Sequence, residues 1–121
     1  MPLTNYEANK YINDRLTNGK FVGLLKSDPG FNGDISSEVS ATEYRRQAIT
    51  FLAGAEGRTH NRDEISFPIA SSNWGTIKFI GIFDAATGGN LISYSKLNYE
   101  REIRSADRYI IPEGYNIFEV R

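Results

Sequence analysis

The stretch that decides the fold is Trp74-Gly75-Thr76-Ile77-Lys78-Phe79-Ile80-Gly81-Ile82-Phe83, followed by Asp84-Ala85-Ala86-Thr87-Gly88-Gly89-Asn90 and Leu91. Nearly all of its first ten residues are β-branched, aromatic or glycine, the composition of a strand. Apolar groups fall on both parities: Trp74, Ile80 and Ile82 on one, Ile77, Phe79 and Phe83 on the other. A strand apolar on both faces is covered on both, so this one is expected inside a sheet. Gly75 and Gly81 leave side-chain gaps; a glycine inside a strand marks a bulge or a close approach by a neighbour, and Gly81 has room for the ring of Trp74 or Phe79. Asp84 opens a turn, and Gly88-Gly89-Asn90 tolerates the positive φ of a tight reversal. Leu91–Leu97 then reads as the returning strand of a long β-hairpin.

Toward the amino terminus, Glu64–Ile69 alternates, with Ile65, Phe67 and Ile69 inward. Pro68 removes a backbone donor and argues for an edge. Ala53–Asp63 is polar and reads as loop. Glu43–Leu52 reads as a second long strand, and Phe31–Ser40 as a surface loop after the turn Ser27-Asp28-Pro29-Gly30. Lys20–Lys26 is a strand apolar on both parities. Thr4–Leu16 is the one helix, spanning about residues 4–17. Thr4 and Glu7 have capping-box spacing, Ala8, Tyr11, Ile12 and Leu16 form a narrow apolar stripe, and Asn18-Gly19 ends it. Glu7, Asn9, Lys10, Asn13 and Asp14 fall on its polar side. Toward the carboxy terminus, Asn98–Arg108 is charged with alternating signs. Tyr109–Ile111 and Tyr115–Val120 read as a final strand pair or one broken strand, split by Pro112-Glu113-Gly114. The expectation is one domain over residues 1–121: mainly β, a β-sandwich with one amino-terminal α-helix.

Charge and composition exclude several classes. The chain has 121 residues, 14 basic and 15 acidic, for a formal net charge of −1, and no cysteine. A near-neutral chain without a basic patch is not expected to bind nucleic acid or an anionic membrane. Without cysteine there is no disulfide framework and no thiolate metal site. No apolar run approaches a membrane span, and Met1–Glu7 lacks the basic and apolar regions of a secretory signal. A protein kept in a cytoplasm, or assembled there into something larger, is expected.

Sites of chemistry are sparse. His60, the lone histidine, lies among Arg58, Arg62, Asp63 and Glu64 and reads as a solvated loop residue. Asp28, Asp34 and Glu38 share a loop, but their spacing fits no EF-hand. Gly88-Gly89 opens no helix and precedes no lysine, so it is not a phosphate loop. No catalytic residue, metal ligand or cofactor is expected. Arg45, Arg46, Arg101, Arg104 and Arg108 are interleaved with acidic residues and read as an ion-paired, solvated surface. Tyr94, Tyr99, Tyr109 and Tyr115 cluster late in the chain and read chiefly as sheet aromatics with wet hydroxyls, although aromatic faces also stack on sugars. Tyrosine and arginine are enriched at interface hot spots. The candidate partner-binding residues are therefore Tyr6 and Tyr11 on the helix and Tyr99, Arg101, Arg104 and Arg108 in the charged segment.

Several motifs occur together in order: Leu24-Leu25-Lys26-Ser27-Asp28-Pro29-Gly30; Glu38-Val39-Ser40 with Tyr44-Arg45-Arg46-Gln47-Ala48-Ile49-Thr50-Phe51; Ile65-Ser66-Phe67-Pro68; and Trp74-Gly75-Thr76-Ile77 with Gly81–Leu91. This set, from about Phe21 to Leu97, resembles a family of small tailed-phage virion proteins of the tail-fibre type. The resemblance implies a non-enzymatic structural protein of the tail, tail tip or fibre-attachment region. Its alternatives are a capsid decoration or head-fibre protein, or a module that binds host-surface glycan. It also implies other virion proteins as partners, and copies that repeat by symmetry in a particle assembled in the host cytoplasm. It brings no catalytic residue. The charged Asn98–Arg108 departs from the small, apolar stretch common in relatives.

Overall fold

The computed structural model describes residues 1–119. In chain order it has α1 (Asn5–Arg15), β1 (Lys20–Leu25), β2 (Gln47–Ile49), β3 (Arg58–His60), β4 (Ile65–Ser66), β5 (Gly75–Phe83), β6 (Leu91–Ile103), β7 (Ile110–Ile111) and β8 (Ile117–Glu119). All strand pairs are antiparallel: a four-stranded sheet ordered β2-β1-β5-β6, and two-stranded ribbons β3-β8 and β4-β7. The fold is mainly β with one helix, as the patterning requires.

The doubly apolar hairpin strand β5 lies inside the sheet, between β1 and β6. Residues paired across strands share a face. Val22 opposite Ile82 and Leu24 opposite Ile80 therefore face one side. Phe21 opposite Phe83, Gly23 opposite Gly81 and Leu25 opposite Phe79 face the other. The first face joins Ile12 and Leu16 of α1, Ile65 of β4, Phe67, Trp74 and Ile111 of β7 in a single core. On the second face Leu25 and Phe83 are also fully buried. Gly81 does not receive Trp74 or Phe79. A Cβ there would meet Leu91 Cδ1 at 2.7 Å and Phe83 Cε1 at 3.1 Å, whereas Trp74 packs edge-on against Tyr44.

Several expected boundaries move, each for a physical reason. The strand expected over Glu43–Leu52 shrinks to Gln47–Ile49, because Tyr44 turns inward and replaces a ladder partner. Its hydroxyl accepts from the Leu24 amide at 3.0 Å and donates to Glu38 Oε2 at 2.7 Å. The Phe31–Ser40 loop closes the same edge of β1: Lys26 N–H donates to Ser37 O and Val39 N–H to Leu24 O. Ala53–Asp63 is not all loop, since Arg58–His60 pairs with β8. In Glu64–Ile69 only Ile65–Ser66 is strand. Ile65 and Phe67 are core, but Ile69 is exposed, because beyond Pro68 the chain pairs next through the Ala70 amide on Asp107 O. Tyr109–Ile111 and Tyr115–Val120 do not pair with each other: β7 pairs with β4 and β8 with β3, and Val120 lies outside the described residues. On the helix, Asn9 and Asn13 do not simply face water. Their Oδ1 atoms accept from the Gly57 and Gly54 amides at 2.7 and 2.8 Å and fasten α1 to the loop before β3.

The largest departure is β6. It runs 13 residues, to Ile103, and absorbs half of the segment expected as a charged surface stretch. Its partners on β5 jump from Lys96, opposite Phe79, to Arg101, opposite Ile77. Lys78 alone thus faces Leu97–Glu100, a wide bulge at the outer edge of the sheet. A bulge bends its strand and re-aims side chains. Leu97 goes into the core, while Tyr99 is thrown outward with 77% of its surface exposed.

Candidate functional site

The bulge forms one wall of a groove of about 500 Å³. Asn98, Tyr99, Arg101 and Glu102 come from β6. Asp107, Arg108 and Tyr109 come from the following turn, Ile110 from β7, and Tyr115 from the loop before β8. Of the residues anticipated as partner contacts, the structure brings Tyr99, Arg101 and Arg108 together here. Arg104 does not line the groove. Tyr6, 76% exposed, stands in the first turn of α1, and Tyr11 stacks on Phe118 at a centroid distance of 6.4 Å.

Two anchors hold the groove's far wall. The turn after β6 docks on the loop before β5. Ala106 N–H donates to Ala70 O, Ala70 N–H to Asp107 O, and Ser105 N–H to Asn73 Oδ1 at 3.0 Å. Ala106 has φ 78°, a strained value for a residue with a Cβ. The second anchor is Asn61, which is fully buried. Its Nδ2 donates to Asp63 O and Pro112 O at 2.8 and 3.0 Å, and its Oδ1 accepts from the Asn116 amide at 2.8 Å. Asn61 thereby fixes the Pro112–Asn116 turn that carries Tyr115. In sequence Asn61 is one polar residue among many in a polar stretch, and nothing in its neighbours marks it. Tyr109 and Tyr115 are visible there only as members of a tyrosine cluster.

The groove's charges are unequally satisfied. Glu102 accepts from Arg104 Nε at 2.8 Å and also pairs with its Nη2 at 2.7 Å, and Asp107 Oδ2 accepts from the Arg104 amide at 2.9 Å. Arg104 therefore holds Glu102 with its guanidinium and Asp107 with its backbone amide. Among the described residues, neither Arg101 nor Arg108 makes an ion pair. Burial pushes the Tyr109 hydroxyl up to about 12; Tyr115 adds to this and Arg101 opposes it. Tyr109 therefore stays a neutral hydrogen-bonding group at physiological pH.

The other polar clusters are closed, and they brace the fold. Arg46 is not a solvated surface arginine. Its side chain is 5% exposed, and its Nε and Nη2 each donate to Glu38 at 2.8 Å. Its Nη1 donates to Ala85 O and Gly88 O at 2.9 and 2.8 Å, which ties the hairpin turn to the loop. The hydrogen bonds to Glu38 raise the Arg46 pKa; burial, then the Glu38 charge, raise that of Tyr44. Arg45 donates to Thr42 O and Tyr44 O. Asp28 and Asp34 each accept an amide of their own turn, Gly30 and Ser36, and so part from Glu38. Asp84 accepts from the amide and side chain of Asn90, bonds that lower its pKa. His60 is half-buried in β3, with Nδ1 3.1 Å from Asn61 O, and is not the solvated loop residue the sequence suggests. Among the described residues, no helix is long and apolar enough to cross a membrane.

A family model described as podophage GP4 fiber I protein gp80 matches residues 2–118 of the chain. No curated protein matches it.

Proposed function

The chain belongs to the podophage GP4 fiber I protein gp80 family, and from that premise we propose that it is a non-enzymatic connector in the tail, tail tip or fibre-attachment region of the particle. Membership in a phage fibre family makes it a structural component of a virion. The contact with a neighbouring virion protein is assigned to the groove at the β6 bulge.

One observation carries this assignment: a bulge in the hairpin's return strand throws Tyr99 out beside Arg101, Arg108, Tyr109 and Tyr115. Tyrosine and arginine are the residues that dominate binding energy at interfaces. The same groups are poorly arranged for catalysis. Among the described residues, the two carboxylates that line it accept hydrogen bonds from Arg104, Glu102 from the guanidinium and Asp107 from the backbone amide, and the Tyr109 hydroxyl is held protonated. Repetition of the chain by symmetry in the particle follows from the way virion appendages are built.

The test is complementation of a phage lacking this gene. Wild-type protein and a Tyr99→Ala, Arg101→Glu variant are supplied in trans, and purified particles are analysed by mass spectrometry. The variant is expected to fold normally by circular dichroism yet to be depleted from particles. Incorporation at the wild-type level would place the contact elsewhere, first of all on α1 at Tyr6. Separating heads from tails before the analysis distinguishes tail attachment from capsid decoration.

A further inference from the structure

The groove carries a charge asymmetry that points to the chemistry of its ligand. The Arg104 guanidinium pairs with Glu102 and its backbone amide donates to Asp107, and among the described residues no ion pair joins Arg101 or Arg108 to a carboxylate. Arginine's planar fork matches a carboxylate in two-point geometry, and a partner that supplies one relieves the imbalance. The rim is apolar as well as charged: Tyr99, Ile110 and Tyr115 are 77%, 45% and 42% exposed. Aliphatic and aromatic exposure beside unpaired arginines fits a peptide that offers an apolar side chain flanked by acids. A sugar would use the tyrosine rings but gain little from Ile110.

We propose that the groove binds an acidic segment of the partner protein, its carboxylates on Arg101 and Arg108 and an apolar residue among Tyr99, Ile110 and Tyr115. This rests on the groove being the contact surface and names what that surface accepts. Complementarity of this kind sets partner choice and association rate, and it weakens as salt screens the charges.

The experiment titrates the isotopically labelled full chain with the peptide acetyl-EEFEE-amide and follows backbone amide signals by NMR. Acetyl-QQFQQ-amide and a sialylated trisaccharide serve as comparison ligands. Saturable shifts are expected at Tyr99, Arg101, Ile110 and Tyr115. Affinity is expected to fall about tenfold or more for the uncharged peptide, and similarly for the acidic peptide in an Arg101→Gln, Arg108→Gln variant. Equal binding of the two peptides, shifts confined to another surface, no saturable binding, or tighter binding of the trisaccharide would each overturn the proposal. The uncharged-peptide comparison uses the wild-type protein and so stands whether or not the variant folds. If these arms fail while particle incorporation still depends on Tyr99, only the acidic-peptide assignment falls. If incorporation is indifferent to Tyr99, the assignment of the contact to this groove falls with it.

Discussion

The guanidinium carbon of Arg46 lies 3.6 Å from the centroid of the Phe83 ring. This contact sits where the second face of the sheet meets the hairpin turn. Arg46 also binds Glu38 through two nitrogens and the turn carbonyls of Ala85 and Gly88 through a third. One side chain thus joins the edge of β1 to the end of β5.

Removing one partner of a buried ion pair strands the other. Arg46→Ala is therefore expected to cost about 3–5 kcal/mol. Glu38→Gln, which keeps shape and hydrogen-bonding capacity, should cost less. Urea denaturation of the two single variants and the double variant measures the coupling. Additive effects would mean the pair does not act as a unit.

Gly23 and Gly81 face each other across β1 and β5, yet alanine should behave differently at the two positions. A Cβ on Gly23 would meet Phe83 Cε1, Glu38 Oε2 and the Tyr44 hydroxyl at 2.7–2.9 Å, all fixed by the Arg46 cluster. At Gly81 the closest atom is the end of the half-buried Leu91 side chain, which can swing away. Gly23→Ala should cost about 1–3 kcal/mol, as overpacking does, and Gly81→Ala about half as much. Melting temperatures of the two variants check the order.

Acid should weaken the fold in part through Glu43. Its Oε1 accepts from the Ser71 amide and hydroxyl, the Ser72 hydroxyl and Trp74 Nε1, at 2.9–3.3 Å. Its pKa is lowered from an ordinary 4.5 to about 2, first by a bond to its own backbone, with Ser71 and Trp74 contributing. A carboxylate depressed on folding stabilises the fold fully above its unfolded pKa and loses that contribution as pH falls toward the folded one. The stability lost between about pH 4.5 and pH 2 should therefore be smaller in Glu43→Gln than in wild type. Parallel acid-titration curves would show that Glu43 plays no such part.

The amino-terminal helix belongs to the fold, whatever else it touches. Ala8, Ile12 and Leu16 are at most 1% exposed, and Asn9 and Asn13 hold the loop before β3. Burying Ile12 and Leu16 contributes about 1.5–3 kcal/mol each, a large share of the roughly 5–15 kcal/mol that stabilises a domain. A chain beginning after Asn18 should give no cooperative melt by circular dichroism. A sharp transition from that truncation would contradict this and leave the helix a role in assembly alone.

The hairpin and the helix were legible because their signals are local. An apolar run on both parities, a Gly-Gly-Asn turn and a capping box each depend on neighbours in sequence. The groove depends on residues far apart. Four residues of β6, Leu97–Glu100, bulge against Lys78, a register shift that strand periodicity does not encode. Asn61 holds a turn more than fifty residues away. Arg46 reads as a surface charge because its partners Glu38, Ala85 and Gly88 come from two other segments. Tyr99, Arg101 and Arg108 were identifiable by residue type, but their meeting in one groove required the fold.

The most direct measurement of the connector role is site-specific photo-cross-linking in the particle. A photoreactive phenylalanine analogue replaces Tyr99 in one preparation and Tyr6 in another; purified phage are irradiated and the linked peptides sequenced. Position 99 should link to a single segment of another virion protein, and position 6 should not link to that segment. No link from position 99 to any virion protein, with an efficient one from position 6, would contradict the assignment of the β6 groove as the surface that holds this chain in the particle.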